Sequence, residues 1–365
     1  MRFLAILGLV CALAGQAPAA PRASLIGVYV APQDLTVDGA PFGGISGIDY
    51  DAKRGVWLLI SDDRSDKAPA RFHVAHLDRG GGAAPRLTID RSAPLRREDG
   101  STFPSPRSAE GERADAESIR VDPQTGVLIW ASEGDPGRGF SPSLRRMDID
   151  GAPAGAIALP ADLSFDPSGG SGARPNLTTE GLSFTPDGRA LWVSIEAPLI
   201  QDGPVASVRA GALIRMTRLD RQGVAQAQYP YRLDPIQAAP AAGKRADNGV
   251  SEILAVDDNR LLVLERSGVE TAEGRFVYHC RLYLVDTRGA VPIAPGASLS
   301  AETPALDKRL IVNFDRLPGA PPRNLEAMAW GPDSRGGDRT LVLASDDNFD
   351  PEAPGVILVL TVKGL

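Results

Sequence analysis

Two cysteines and three histidines in 365 residues rule against several kinds of chemistry at once. Cys11 falls in an apolar amino-terminal run, which leaves Cys280 with no partner for an internal disulfide. Stability must therefore come from a packed core. His73, His76 and His279 are too few to suggest a zinc or copper centre. His73 and His76 stand three apart in an expected strand and so face opposite sides. A serine esterase needs a nucleophile, a His base and an orienting acid. The chain has no Gly-x-Ser-x-Gly, and Gly44-Ile-Ser-Gly47 is not a nucleophile elbow. Gly169-Gly-Ser-Gly172 lacks the Lys and the helix of a phosphate-binding loop. Basic residues are outnumbered 39 to 46, for a net charge of −7, which argues against nucleic acid or an anionic membrane as partner. An acidic chain suits cations better. No apolar run is long enough to cross a bilayer.

The run Phe3–Leu13 follows the positive start Met1-Arg2 and precedes the small residues of Ala17-Pro18-Ala19. This is the pattern of a secretory leader over 1–19. Val10 before Cys11 does not suit a lipid anchor. The expected mature chain is a single domain over 20–365, exported to the periplasm or the medium.

What the sequence has in quantity is turn residues, 39 Gly and 31 Pro, and a repeat. Five segments share one pattern of strand, tight turn and apolar strand: Gly44–Asp63, Ala116–Glu133, Thr179–Glu196, Ser251–Glu265 and Leu325–Asp347. Turns such as Asp-Pro-Gln-Thr-Gly and Thr-Pro-Asp-Gly are hairpin chemistry. The second strands are almost continuously apolar, as in strands buried on both faces. Taking Ser46, Glu117, Glu180, Glu252 and Glu326 as the anchor, the spacings are 71, 63, 72 and 74 residues. Each interval suits one four-stranded antiparallel blade and a long loop, and the fold expected is an all-β β-propeller. Five blades account for the chain, with a sixth open if 286–323 holds a degenerate one. The fifth lacks an outer strand, which Leu25–Val30 from the amino terminus can supply.

In such a blade the loops joining the second to the third strand, and one blade to the next, share one face. The long connections 91–115, 160–178, 197–210 and 232–249 fall there, where function gathers. So do the repeated acids. Glu117, Glu180, Glu252 and Glu326 begin the innermost strands. Asp62, Glu133, Glu196, Glu265 and Asp346 end the second strands, with Asp63 and Asp347 completing two Asp pairs. Carboxylates crowded at a channel mouth repel one another and need a counter-charge. A hard cation such as calcium is one. Arginine is the other: Arg113, Arg174, Arg245 and Arg323 each shortly precede an anchor Glu and offer a fork for phosphate or carboxylate. The plainer alternative is that these polar residues latch neighbouring blades.

The motifs Gly-Ile-Ser-Gly-Ile-Asp-Tyr-Asp (44–51), Ser-Asp-Asp-Arg (61–64), Asn-Leu-Thr-Thr-Glu-Gly-Leu-Ser-Phe (176–184), Asn-Leu-Glu-Ala-Met-Ala-Trp (324–330) and Ala-Ser-Asp-Asp-Asn (344–348) resemble the bacterial phytase-like family, "esterase-like activity of phytase". The resemblance spans about residues 25–363. It implies an exported propeller that depends on calcium and hydrolyses phosphate or related esters, with Glu117, Glu180, Glu252, Glu326 and the Asp pairs as the carried-over positions. Ser46 departs from the pattern. The expectation is thus a hydrolase of a small anionic substrate, with a non-catalytic propeller binding a ligand or envelope partner as the alternative.

Overall fold

A computed structural model describes residues 20–81, 84–294, 296–333 and 338–365. The leader expected at 1–19 lies outside them. Strand β1 (Arg22–Val30) opens the chain, and a short hairpin of β2 (Thr36–Val37) and β3 (Ala40–Pro41) follows. Blade one is β4 (Ile45–Asp51), β5 (Val56–Ser61), β6 (Arg71–Asp78) and β7 (Arg86–Pro94). Blade two is β8 (Ala116–Val121), β9 (Leu128–Ser132), β10 (Ser143–Met147) and β11 (Pro153–Ile157). Blade three is β12 (Thr179–Phe184), β13 (Ala190–Ile195), β14 (Leu213–Asp220) and β15 (Ala225–Arg232). Blade four is β16 (Ala246–Ala255), β17 (Arg260–Glu270), β18 (Phe276–Asp286) and β19 (Lys308–Asn313). Blade five is β20 (Asn324–Trp330), β21 (Arg339–Asp346) and β22 (Val356–Lys363), completed on the outside by β1. All pairing within the blades is antiparallel.

The five innermost strands meet their neighbours around the axis, β4 touching β8 and β20, so the sheets close into a five-bladed β-propeller. The continuous apolar runs have the reason expected of them. In β5, Trp57 and Leu59 pack toward blade five while Leu58 and Ile60 pack toward blade two. The same alternation in the other blades gives five hydrophobic clusters, one in each gap between blades. Local chemistry shapes the tight turns. Asp122 accepts hydrogen bonds from Gln124 N (2.9 Å) and Thr125 Oγ1 (2.7 Å), and the turn closes on Gly126 at a φ of 77°, in the left-handed region that glycine adopts freely.

Among its described residues, the stretch 286–323 holds no sixth blade. Its residues 308–313 form β19, and those before β19 run beside β15, where Ile293 N donates to Gln228 O (2.7 Å) and Leu306 N to Pro230 O (2.8 Å). They cover the outer edge of blade three and remove an exposed pairing surface. This long connection lies on the face of the tight turns, opposite the other long loops.

The axis is filled by one side chain. The Arg120 guanidinium donates to a backbone carbonyl from every blade: Ile48 (2.5 Å), Ile119 (3.0 Å), Leu182 (2.6 Å), Ile253 (3.3 Å) and Met328 (3.1 Å). It also pairs with Glu252 at 2.6 Å, both side chains being buried. The pair divides the channel. On the tight-turn side lies a cavity of about 460 Å³, lined in part by Asp49, Tyr50, Phe184 and Trp330. On the other side lie the acids.

Candidate metal centre

Each innermost strand has an irregularity against its partner, at Ser46, Glu117, Glu180-Gly181, Ser251 and Glu326. A bulge re-aims the extra residue. The partner strands place beside it Asp62, Glu133, Glu196, Arg266 and Asp346. Matching the fourth unit on Glu252 and Glu265 is therefore one residue out of step, because Val250 pairs with Glu265 and Gly249 with Arg266. The equivalents there are Ser251 and Arg266. Ser251 does what Ser46 does. Ser46 Oγ donates to Ala116 O of the next blade at 2.6 Å, and Ser251 Oγ to Leu325 O at 3.0 Å. The ring thus has two serine latches and three glutamates.

Glu252 lies deeper, beside the axis. It accepts from Leu182 N (3.0 Å), Ile253 N (2.9 Å) and Ser118 Oγ (3.2 Å) as well as pairing with Arg120. Burial pushes its carboxyl up to about 8, against the pull of Arg120. Glu265 turns away into the blade, bonded to Tyr231 Oη (2.6 Å), Asn248 Nδ2 (3.1 Å) and Lys308 Nζ (2.5 Å). The Asp pairs split likewise. Asp63 accepts from Asp66 N, Lys67 N and Ala68 N and pairs with Arg71 at 2.6 Å; burial would raise it, but these partners hold it below its usual value. Asp347 accepts from Gly44 N (2.8 Å) and Phe349 N (3.0 Å), fastening blade five to the first. Asp62 and Asp346 face the mouth.

The arginines singled out by sequence do not converge on the acids. Arg113 is held by Pro106 O (2.9 Å) and Asp135 (3.3 Å), and Arg174 by Pro198 O (2.9 Å) and Gly203 O (2.7 Å). Arg245 lies over the Phe276 ring and pairs with Glu270 at 3.3 Å. With Arg275 and Arg323 it lines a cavity of about 660 Å³ between blades four and five, whose wall reaches Asp346. The guanidinium groups at the acids are Arg64 and Arg266. Arg266 contacts Glu196 (2.6 Å) and Glu326 (3.6 Å), and Arg64 contacts Asp115 (2.5 Å). Both directly follow a second-strand acid, Asp-Asp-Arg and Glu-Arg, and that adjacency is the signal that could have found them. Asp115, between Arg113 and Glu117, belongs to the acids as well.

Eight carboxylates thus share the mouth with two guanidinium groups: Asp62, Asp115, Glu117, Glu133, Glu180, Glu196, Glu326 and Asp346. Two triads have ligand oxygens within 4.8 Å of one another, Asp115–Glu117–Glu133 and Glu133–Glu180–Glu196, all buried and sharing Glu133. Thr178 N donates to Glu133 Oε1 at 2.6 Å and fixes it. Close approach is built into the backbone. At Gly249 a Cβ would stand 2.4 Å from Glu196 Cγ, and at Gly44 one would stand 2.2 Å from Asp62 Oδ1. Oxygen donors at this density, buried and under-neutralised, fit a hard cation such as calcium, for which carboxylates are the usual ligands. None of the three histidines is among them. His73 is buried, pushed down to about 3 by burial and Arg71, and its Nδ1 meets Ser92 Oγ at 2.8 Å; its Nε2 has no partner, so no acid orients it as a base.

Without a cation several of these carboxyls hold protons near neutral pH. Burial, then neighbouring acids, pushes Asp62 and Glu133 up to about 8. Glu196 reaches about 7, burial outweighing Arg266, and Glu117, Glu180 and Asp346 are raised well above their usual range. The folded metal-free chain therefore binds protons that the unfolded chain releases above about pH 4.5. That stability is complete below about pH 4 and is lost as pH rises through 7 to 8. In EDTA, Tm is expected to fall by about 5–10 °C between pH 5 and pH 8. Calcium should cancel most of the fall, and a Tm that rises with pH in EDTA would contradict the placement of these acids.

Residues 40–349 match the family model described as phytase-like, "Esterase-like activity of phytase". No curated protein matches the chain. Among solved structures, a thermostable family-43 glycoside hydrolase matches at 10% identity and a TM-score of 0.45, over 91% of this chain and 96% of that one. A family-43 β-1,3-galactosidase matches at 11% identity and a TM-score of 0.44; 88% of this chain is covered, and the match spans 57% of the galactosidase. A Staphylococcus aureus phage tail fibre gives 11% identity and a TM-score of 0.42, over 93% of this chain and 52% of the fibre.

Proposed function

Since the chain belongs to the phytase-like family, we propose that its acid-lined mouth is the calcium centre of an exported hydrolase that cleaves phosphate esters. The observation that carries this reading is the pair of buried carboxylate triads joined at Glu133. Calcium held there supplies positive charge that polarises a substrate oxygen and acidifies a water. Asp115, Glu117 and Glu133 form one set of ligands, and Glu133, Glu180 and Glu196 the other. Asp62 lies at the rim beside Asp115 and Glu326, where it can carry a proton to a leaving oxygen. Glu326 and Asp346 complete the negative field that keeps the cation in place.

The test uses the mature chain beginning at Ala20, recovered from outside the cytoplasm. EDTA is expected to reduce its hydrolysis of aryl and alkyl phosphate monoesters at least about 100-fold, and calcium to restore it. Full activity in EDTA would refute the proposal. The arginine- and aromatic-lined cavity between blades four and five favours one other reading, a non-catalytic propeller that binds an anionic ligand. Calcium binding with no turnover on phosphate or carboxylic esters would support that reading instead.

A further inference from the structure

The two guanidinium groups at the acids are not equivalent. Arg266 lies within the cluster, its side chain 14% exposed, and reaches Glu196, Glu326 and Asp247. It is locked between fixed partners. Arg64 enters from the rim, and its side chain is 41% exposed. It makes one contact with the triads, Nε to Asp115 Oδ1 at 2.5 Å. Its Nη2 is steadied from outside by Asn176 Oδ1 at 2.8 Å. Asn176 is exposed and sits at a left-handed φ of 57° on the loop that leads into blade three. Asp115 Oδ1 has no other partner, and it belongs to the triad Asp115–Glu117–Glu133.

A cation entering that triad must take Asp115 from Arg64, since the two positive charges compete for the same oxygens. An anion faces the opposite situation. It is repelled by the uncovered acids, and the inward-facing Arg64 has its Nε committed to Asp115 and its Nη2 to Asn176. We propose that Arg64 holds two positions: counter-ion of the Asp115–Glu117–Glu133 triad in the metal-free chain, and anion-binding residue once a cation has displaced it. Its planar fork then meets a phosphoryl group beside the metal, the role for which sequence had suggested Arg113, Arg174, Arg245 and Arg323. The inference rests on the calcium reading above and adds a linkage to it. By reciprocity, an anion that engages the released arginine must tighten calcium binding by the factor with which calcium tightens the anion.

Calcium titration calorimetry on wild type and Arg64→Met, with and without methylphosphonate, tests this without any need for turnover. Arg64→Met should bind calcium about 10-fold more tightly than wild type when no anion is present. Methylphosphonate should tighten calcium binding to wild type about 10-fold and to Arg64→Met hardly at all. Arg64→Lys keeps the charge but not the fork, so it should match wild-type calcium affinity within about twofold and lose most of the anion effect. Calcium affinity unchanged or weakened in Arg64→Met, or an anion effect that survives there, would overturn the inference and leave the calcium reading standing. Absence of calcium binding in wild type and Arg64→Met alike would overturn both.

Discussion

Glu133→Gln is expected to lower calcium-dependent kcat/KM for a phosphate monoester by at least about 10³-fold, a loss of about 4 kcal/mol in transition-state stabilisation. Glu133 alone belongs to both buried triads, so removing its charge weakens both sets of ligands. The amide fills the same space, and its oxygen can still accept from Thr178 N, so the fold should persist. Stability provides the control. A buried carboxyl pushed up to about 8 costs the metal-free chain stability progressively from above about pH 4.5 and almost in full by pH 8. Glu133→Gln should therefore melt higher than wild type in EDTA at pH 8, and lower than wild type in saturating calcium. Glu252→Gln removes an equally buried acid that touches neither triad, and its calcium affinity should stay near wild type. Retention of activity and calcium affinity by Glu133→Gln would remove the centre from this part of the molecule.

The second large effect concerns the axis. Arg120→Met should destabilise the fold by about 3–5 kcal/mol, because it leaves the buried Glu252 carboxyl without its ion-pair partner. It also deprives five carbonyls, one per blade, of their shared donor. Arg120→Met/Glu252→Gln should recover the part due to the unpaired carboxyl and leave the part due to the carbonyls. Denaturant melts of the two variants and of Glu252→Gln separate these contributions as a mutant cycle. A single variant as stable as wild type would mean that the blades hold their ring without the plug.

The blades were legible in the sequence because the hairpin repeats in composition as well as in shape. Apolar second strands, turns closed by glycine and an unpaired last blade all follow from packing sheets around an axis. The site was legible only in outline. Acids at strand ends were expected at the mouth, and many are there, but a strand alternates its faces with a period of two. A shift of one residue in the fourth unit therefore put Glu252 and Glu265 where Ser251 and Arg266 stand. The same alternation sends Asp63 and Asp347 into backbone caps while Asp62 and Asp346 face the acids. Arg113 and Arg174 sit on loops that lead into the innermost strands, and they end on loop carbonyls. Arg120 gave no sign of its role, since only the closed ring brings five carbonyls within reach of one side chain.

Blade five joins the two ends of the chain: β1 pairs with β22 from Arg22↔Lys363 to Val30↔Val356. The first strand to be made thus waits for the last. Until β22 exists, β1 is an unpaired strand whose native partner is more than 300 residues away in sequence, and closing a loop of that length carries an entropy that no local contact offsets. Blades one to four can pair within themselves as they appear. The fifth cannot, and the acids it contributes, Glu326 and Asp346, reach the mouth only with it. Assembly of the cation site is in this way tied to the arrival of β22, so a polypeptide cut short before it carries Glu326 and Asp346 but lacks the completed blade that holds them at the axis.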